Sequence, residues 1–127
     1  TCALPIFFRL GLVTDPDSMQ VRRWYIHSAG HFLGMNVHDV EFAADLAPGM
    51  TFTNEPGIYI RADALDHLPD TPENRAFKEA VRPAFERYKN IGVRIEDDML
   101  VTENGVIWMS AALPRKISDI EAFMARN

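Results

Sequence analysis

The dipeptide Asn104-Gly105 stands between two runs of strand-forming residues, DDMLVT before it and VIWM after it. Asn-Gly flanked in this way is a strong local hairpin signal, because both residues accept the backbone angles of a tight turn. The spacing predicts a strand over residues 92–101, a turn at Glu103-Asn104-Gly105 and a return strand over 106–110. Side chains alternate along a strand, so Val93, Ile95 and Asp97 fall on one face and Arg94, Glu96 and Asp98 on the other. Whatever else this chain does, it has to be built around antiparallel pairing.

The stretch LAPGMTFTNEPGIYI extends that frame. Pro48-Gly49 predicts a turn, residues 50–55 a strand, and Pro56-Gly57 a break before extended chain resumes. Thr51, Thr53 and Glu55 share one face of this strand, and Met50, Phe52 and Asn54 the other. Neither face is cleanly apolar, which suits a strand buried on both sides and carrying one carboxylate. Further on, Thr71 and Pro72 predict a helix start. Phe77, Ala80, Val81, Ala84, Phe85 and Tyr88 then form one apolar stripe, and Pro83 is expected to kink or divide the helix. Residues 15–23, DPDSMQVRR, read as a short polar helix. Near the end, Ser118 and Glu121 form a capping box for a last helix that buries Ile120, Phe123 and Met124.

With 127 residues and 47% hydrophobic residues, the chain has the size and composition of one globular domain with a core of its own. Its net charge of -5 makes nucleic acid or an anionic membrane surface an unfavourable partner. No apolar run approaches the roughly 20 residues that span a bilayer. Cys2 is the only cysteine, so no internal disulfide is possible and a reducing, cytoplasmic setting is expected. The opening TCALPIFF has neither a Met nor a basic region before its short apolar stretch, so it does not read as a secretory signal. Thr1–Ile6 are the translation of one frame of a common sequencing-library adapter. Residues 1–6 are therefore expected to be a non-native leader, and a genomic reading frame encoding TCALPI would sink that expectation.

Three of the four histidines crowd into HSAGHFLGMNVHD, residues 27–39. On a helix His27 and His31 would share a face, but Gly30 and Gly34 argue instead for a strand end followed by a tight loop. A histidine in an apolar setting is ordinarily a hydrogen-bonded core residue. Clustered among glycines that let the backbone approach a ligand, imidazoles also serve as metal ligands or polarise a carbonyl. Their spacing matches no zinc signature. Glu55 and Glu96 each lie in a segment that otherwise reads as buried strand, where a carboxylate is costly unless paired or bound to a cation. The plain alternatives are an exposed edge strand for Glu55 and a pair with Arg94 for Glu96. One His and two Glu suit manganese, cobalt or zinc. There is no GxSxG elbow, no GxxxxGK phosphate loop and no GxGxxG dinucleotide loop.

Taken in order, HSAGHFLGMNVHD, LAPGMTFTNEPGIYI and GVRIEDDMLVTENG resemble the signature blocks of the M24 metallopeptidases, and among these the Xaa-Pro aminopeptidases (aminopeptidase P), with prolidases next. The ending SAALPRKISDIEAFMA is similar to the same branch. The resemblance implies an α+β chain: the C-terminal half of a pita-bread fold, a curved antiparallel sheet with helices on its outer face. Residues 7–127 would then be the C-terminal part of the catalytic domain. It also implies two divalent metal ions, usually Mn2+, held by two Asp, one His and two Glu, and a metal-bridging hydroxide that attacks the scissile carbonyl. By motif matching, His31, Glu55 and Glu96 are the implied ligands. Glu55 would also handle protons, His27 and His38 would bind substrate and stabilise the tetrahedral intermediate, and Arg94 would orient the Glu96 carboxylate. The implied substrates are peptides with proline in the second position, and members of the family often form dimers or tetramers.

Nothing before His27 matches the DxG…D pattern that carries the two Asp ligands in that family; Asp15 and Asp17 are too close together. The chain alone is therefore expected to be inactive, and metal-dependent cleavage of an Xaa-Pro peptide by it would overturn that. Asn54 and Glu41 stand where the family usually has an apolar residue and a glycine, and an arginine that some members carry between His38 and Glu55 is missing; these departures bear on fine specificity. The alternatives are a prolidase acting on dipeptides, a metal-free creatinase-like hydrolase, and a non-catalytic pita-bread binding module. Retention of His31, Glu55 and Glu96 together argues against the last two.

Overall fold

The computed structural model describes residues 4–40 and 45–126. Cys2 and Glu41 lie outside the described residues, and Leu4–Ile6 of the expected leader open the first helix. The chain forms two compact units: one holds the chain up to His27 together with Gly57–Arg94, the other holds Ser28–Pro56 and the chain from Ile95 onward.

In the first unit, helix α1 (Leu4–Arg9) is followed by a turn at Gly11, whose φ of 74° is a conformation that suits glycine. The polar segment expected as a helix over 15–23 narrows to a 3-10 turn, Met19–Arg23, capped by Ser18, whose hydroxyl accepts from the Gln20 N–H. Strands β3 (Gly57–Ile60) and β4 (Ile91–Arg94) pair antiparallel. Helix α2 runs unbroken from Pro72 to Tyr88, with Thr71 Oγ1 accepting from the Asn74 N–H at its start. Pro83 does not divide it. The proline is solvent-exposed, while Phe77, Val81 and Phe85 on either side of it are buried in one core. Of the expected stripe only Ala80 is exposed. Beyond the C-cap residue Lys89, Asn90 takes a φ of 68° and donates its N–H to the Ile60 carbonyl at 2.7 Å.

That core gathers Phe7, Leu12, Trp24, Ile60, Leu65, Phe77, Val81 and Phe85. Burial of each large apolar side chain stabilises the fold by about 1.5–3 kcal/mol. Trp24 is wholly buried, and its indole N–H donates to the Leu12 carbonyl at 2.7 Å, so its polar atom is satisfied as well.

The second unit is a four-stranded antiparallel sheet in the order β1 (Phe32–Leu33), β2 (Thr51–Asn54), β5 (Asp97–Thr102), β6 (Gly105–Trp108). The expected hairpin is present as β5 and β6, closing from Thr102 to Gly105 around Glu103-Asn104. Gly105, at φ 135°, supplies the turn conformation that a Cβ would resist.

Two expected strands end early, and for related reasons. The strand over 50–55 stops at Asn54, since Pro56 has no N–H for a ladder; the chain resumes as β3 in the other sheet. The strand over 92–101 divides into β4 and β5 at Ile95-Glu96. Strands that change sheets do so through such bends. Here the Ile95 N–H donates to the Pro56 carbonyl at 3.1 Å, tying one bend to the other. The strict alternation expected across 93–98 is lost with the division: Asp97 is buried while Ile95 is exposed. Burial on both sides of the 50–55 strand is also corrected, because Asn54 is exposed.

Helix α3 (Ile117–Met124) forms without the expected capping box. Lys116 takes the cap position, and Ser118 Oγ lies 3.3 Å from Asp119 Oδ1. Ile120, Phe123 and Met124 are not buried. The helical pattern in the sequence is correct; the burial expected of it is not found.

Candidate metal centre

The centre is assembled by a loop running beside the end of β2. Ala29 accepts from the Glu55 N–H at 2.8 Å, the His31 carbonyl accepts from the Thr53 N–H at 2.9 Å, and the His31 N–H donates to Thr53 Oγ1 at 3.0 Å. Gly30 makes this approach possible, for a Cβ there would lie 1.9 Å from the Thr53 carbonyl oxygen. The pairing leaves His31 facing Glu55, with Nε2 3.1 Å from Oε1.

His31, Glu55 and Glu96 each offer one ligand atom, and those atoms lie within 4.8 Å of one another. Glu55 is 6% exposed and directly follows β2, an interior strand of its sheet, which rules out the exposed edge-strand alternative. Its Oε1 accepts a 2.5 Å bond from the Thr53 hydroxyl. Glu96 sits in the second bend, between β4 and β5, and is solvent-exposed. His31 Nδ1 lies 3.0 Å from the Phe32 carbonyl. With Nδ1–H donating there, the Nε2 lone pair points at a carboxylate oxygen, an arrangement that is favourable only with a proton or a metal ion between them. One imidazole nitrogen and two carboxylates are a donor set for a borderline divalent cation. The residues present fit such an ion.

The remaining candidate residues fall in different places. His38 is exposed, and its ring stands edge-on to His31 with centroids 4.2 Å apart. A tight turn brings it there, since the Asp39 N–H donates to the Phe32 carbonyl at 3.1 Å. His27 belongs to the first unit, where its Nε2 lies 3.0 Å from the Tyr59 hydroxyl and its ring stacks at a tilt on Tyr25. Arg94 closes β4 opposite Gly57, also in the first unit. Thr53 and Asp97 went unnoticed in the sequence. Thr53 carried a signal, being two residues before Glu55 on the same strand face. Asp97 carried none beyond its place in an acidic run.

Residues 10–103 match metallopeptidase family M24. The chain belongs to that family of hydrolases, and its fold is of the pita-bread class. More particularly, it is similar to Xaa-Pro aminopeptidase 1 of Streptomyces coelicolor, 45% identical over 111 residues, covering 82% of this chain and 19% of the relative. Among solved structures it is similar to proline aminopeptidase P II from Yersinia pestis (33% identity, TM-score 0.71, 98% of this chain and 27% of the other). It is equally similar to a zinc-substituted Escherichia coli aminopeptidase P in complex with product (33% identity, TM-score 0.70, 97% and 26%). The chain thus spans about a fifth to a quarter of the length of these proteins. Among the described residues no helix is long and apolar enough to cross a membrane.

Proposed function

We propose that this chain supplies the His31, Glu55 and Glu96 ligands of a divalent-metal centre in an Xaa-Pro aminopeptidase, with residues 7–127 forming the C-terminal part of its catalytic domain. The observation that carries the reading is the convergence of those three ligand atoms within 4.8 Å in a chain of family M24. In this reading two ions, preferably Mn2+, share the centre, and two Asp ligands come from sequence ahead of His27. Bound divalent ions polarise a scissile carbonyl and make water acidic enough to attack at neutral pH.

The chain's own groups do the rest. Glu55, buried and anchored by Thr53, takes a proton from the attacking water and returns it to the leaving nitrogen. His38, exposed beside His31, donates to the developing oxyanion. His27 contacts the substrate, and Arg94 balances the charge of the Glu96 carboxylate. A bond before proline has no amide hydrogen and a crowding ring, so reading it by shape suits a site built from rings and metals. Peptides with proline second are the proposed substrates, and the expected cytoplasmic setting is part of the same proposal.

The test is cleavage of an Xaa-Pro-Yaa peptide by the product of the gene's complete reading frame, before and after chelation. Cleavage lost to chelator and restored by Mn2+ is expected. An undiminished rate in chelator, or no cleavage with metal present, would sink the proposal.

A further inference from the structure

The buried carboxylate that follows Glu96 is not one of the three clustered ligands. Asp97 is 7% exposed, and its oxygens are taken up by protein donors: Ser110 Oγ donates to Oδ1 at 2.8 Å, Arg115 Nε donates to Oδ2 at 3.2 Å, and Arg115 Nη2 donates to Oδ1. This is the two-point fork that guanidinium forms with carboxylate. The same guanidinium donates to the Ser110 carbonyl at 3.1 Å and lies 3.9 Å from the centroid of the Trp108 ring. Trp108 in turn donates its indole N–H to Ser110 Oγ at 3.1 Å. Arg115 therefore joins the segment after β6 to the first residue of β5.

The position of that joint matters. Asp97 stands in register with Asn54. Asn54 immediately precedes Glu55, and Asp97 immediately follows Glu96, so a clamp on Asp97 holds the point where the two ligand-bearing bends meet the sheet. Glu96 is exposed, and it is the residue directly before the clamped Asp97. We propose that Arg115 is a positioning residue for the metal centre, acting through Asp97 to hold Glu96 within reach of the ion. The inference rests on the reading of His31, Glu55 and Glu96 as ligands.

The experiment is calorimetric titration of Mn2+ alone into the purified product of the gene's complete reading frame and its Arg115→Ala, Arg115→Lys and Lys116→Ala variants, with folding of each checked by circular dichroism in chelator. Loss of a group that orients a ligand typically weakens metal binding about 10–100-fold, and that is the expected effect of Arg115→Ala. Arg115→Lys keeps the charge without the fork and should recover part of the affinity; Lys116→Ala should change nothing. A folded Arg115→Ala variant with unchanged affinity would overturn the proposal. Should Arg115→Ala not fold, Ser110→Ala removes a single donor from Asp97, and unchanged affinity there overturns it equally. A folded, unsubstituted protein from the complete reading frame that binds no Mn2+ would instead remove the ligand reading and this inference with it.

Discussion

Gly30 and Thr53 touch backbone to backbone: a Cβ on Gly30 would stand 1.9 Å from the Thr53 carbonyl oxygen and 2.9 Å from its carbon. That contact seats His31 against β2 and turns its ring toward Glu55. Because the obstacle is backbone in an interior strand, it cannot rotate away.

Gly30→Ala is therefore expected to destabilise the chain by about 1–3 kcal/mol, the usual cost of forcing extra atoms into a packed site. Urea unfolding measures it. Gly92→Ala is the contrast, since its new Cβ would meet Tyr59 at an ordinary 3.6 Å. It should leave stability unchanged or raise it by about 0.4–1 kcal/mol by restricting the unfolded chain. Equal effects of the two substitutions would contradict the steric account.

Thr53→Val keeps the shape of a wholly enclosed side chain and removes the hydroxyl that donates to Glu55 Oε1. Leaving a buried carboxylate short of a donor costs about 1–3 kcal/mol. Added Mn2+ should raise the melting temperature of this variant more than that of the unsubstituted chain, because the ion compensates a carboxylate that has lost its donor. Identical shifts would show that Thr53 does not support Glu55.

In α2, Phe85→Ala should cost about 3–5 kcal/mol, as expected for emptying an aromatic site in a core. Pro83→Ala should act in the opposite direction, by up to about 3 kcal/mol, because it restores a helical N–H at a solvent-exposed position. Thermal melts of the two variants give the signs. A Pro83→Ala variant that melts lower would mean that the proline's stiffening of the unfolded chain outweighs the missing bond.

The Glu73 carboxyl is held below its ordinary pKa, first by its own backbone N–H and then by the Thr71 hydroxyl. A depressed folded pKa contributes stability that is present above the unfolded carboxylate pKa and is lost as pH falls through the folded value. Glu73→Gln should therefore reduce stability at neutral pH and make no difference in strong acid. Thr71→Ala should cost about 1 kcal/mol as a lost cap and move the Glu73 titration, followed by NMR, back upward. A Glu73 titration unmoved by Thr71→Ala would remove the hydroxyl from this account.

Local chemistry made much of the fold legible. The Asn104-Gly105 hairpin, the Thr71-Pro72 helix start and the Pro56-Gly57 break depend on backbone angles and missing donors, which act over a few residues in any context. The candidate residues His31, Glu55 and Glu96 stood out because polar groups in strand-like segments need a partner. Less legible were the ends of those segments. Residues 92–101 read as one strand because alternation continues through Ile95 and Glu96, and nothing local marks a change of sheet.

The sequence by itself therefore determined which elements form, where glycine and proline punctuate them, and which polar residues required an explanation. Only the tertiary structure decided that β2 and β5 pair through Asn54 and Asp97, that Glu55 and Glu96 sit in the bends beside that pair, and that Arg115 closes on Asp97. Turns and caps are settled by interactions among near neighbours. The register of strands far apart in the chain depends on which long-range pairing buries most surface and satisfies most donors, and no short stretch of sequence contains that comparison.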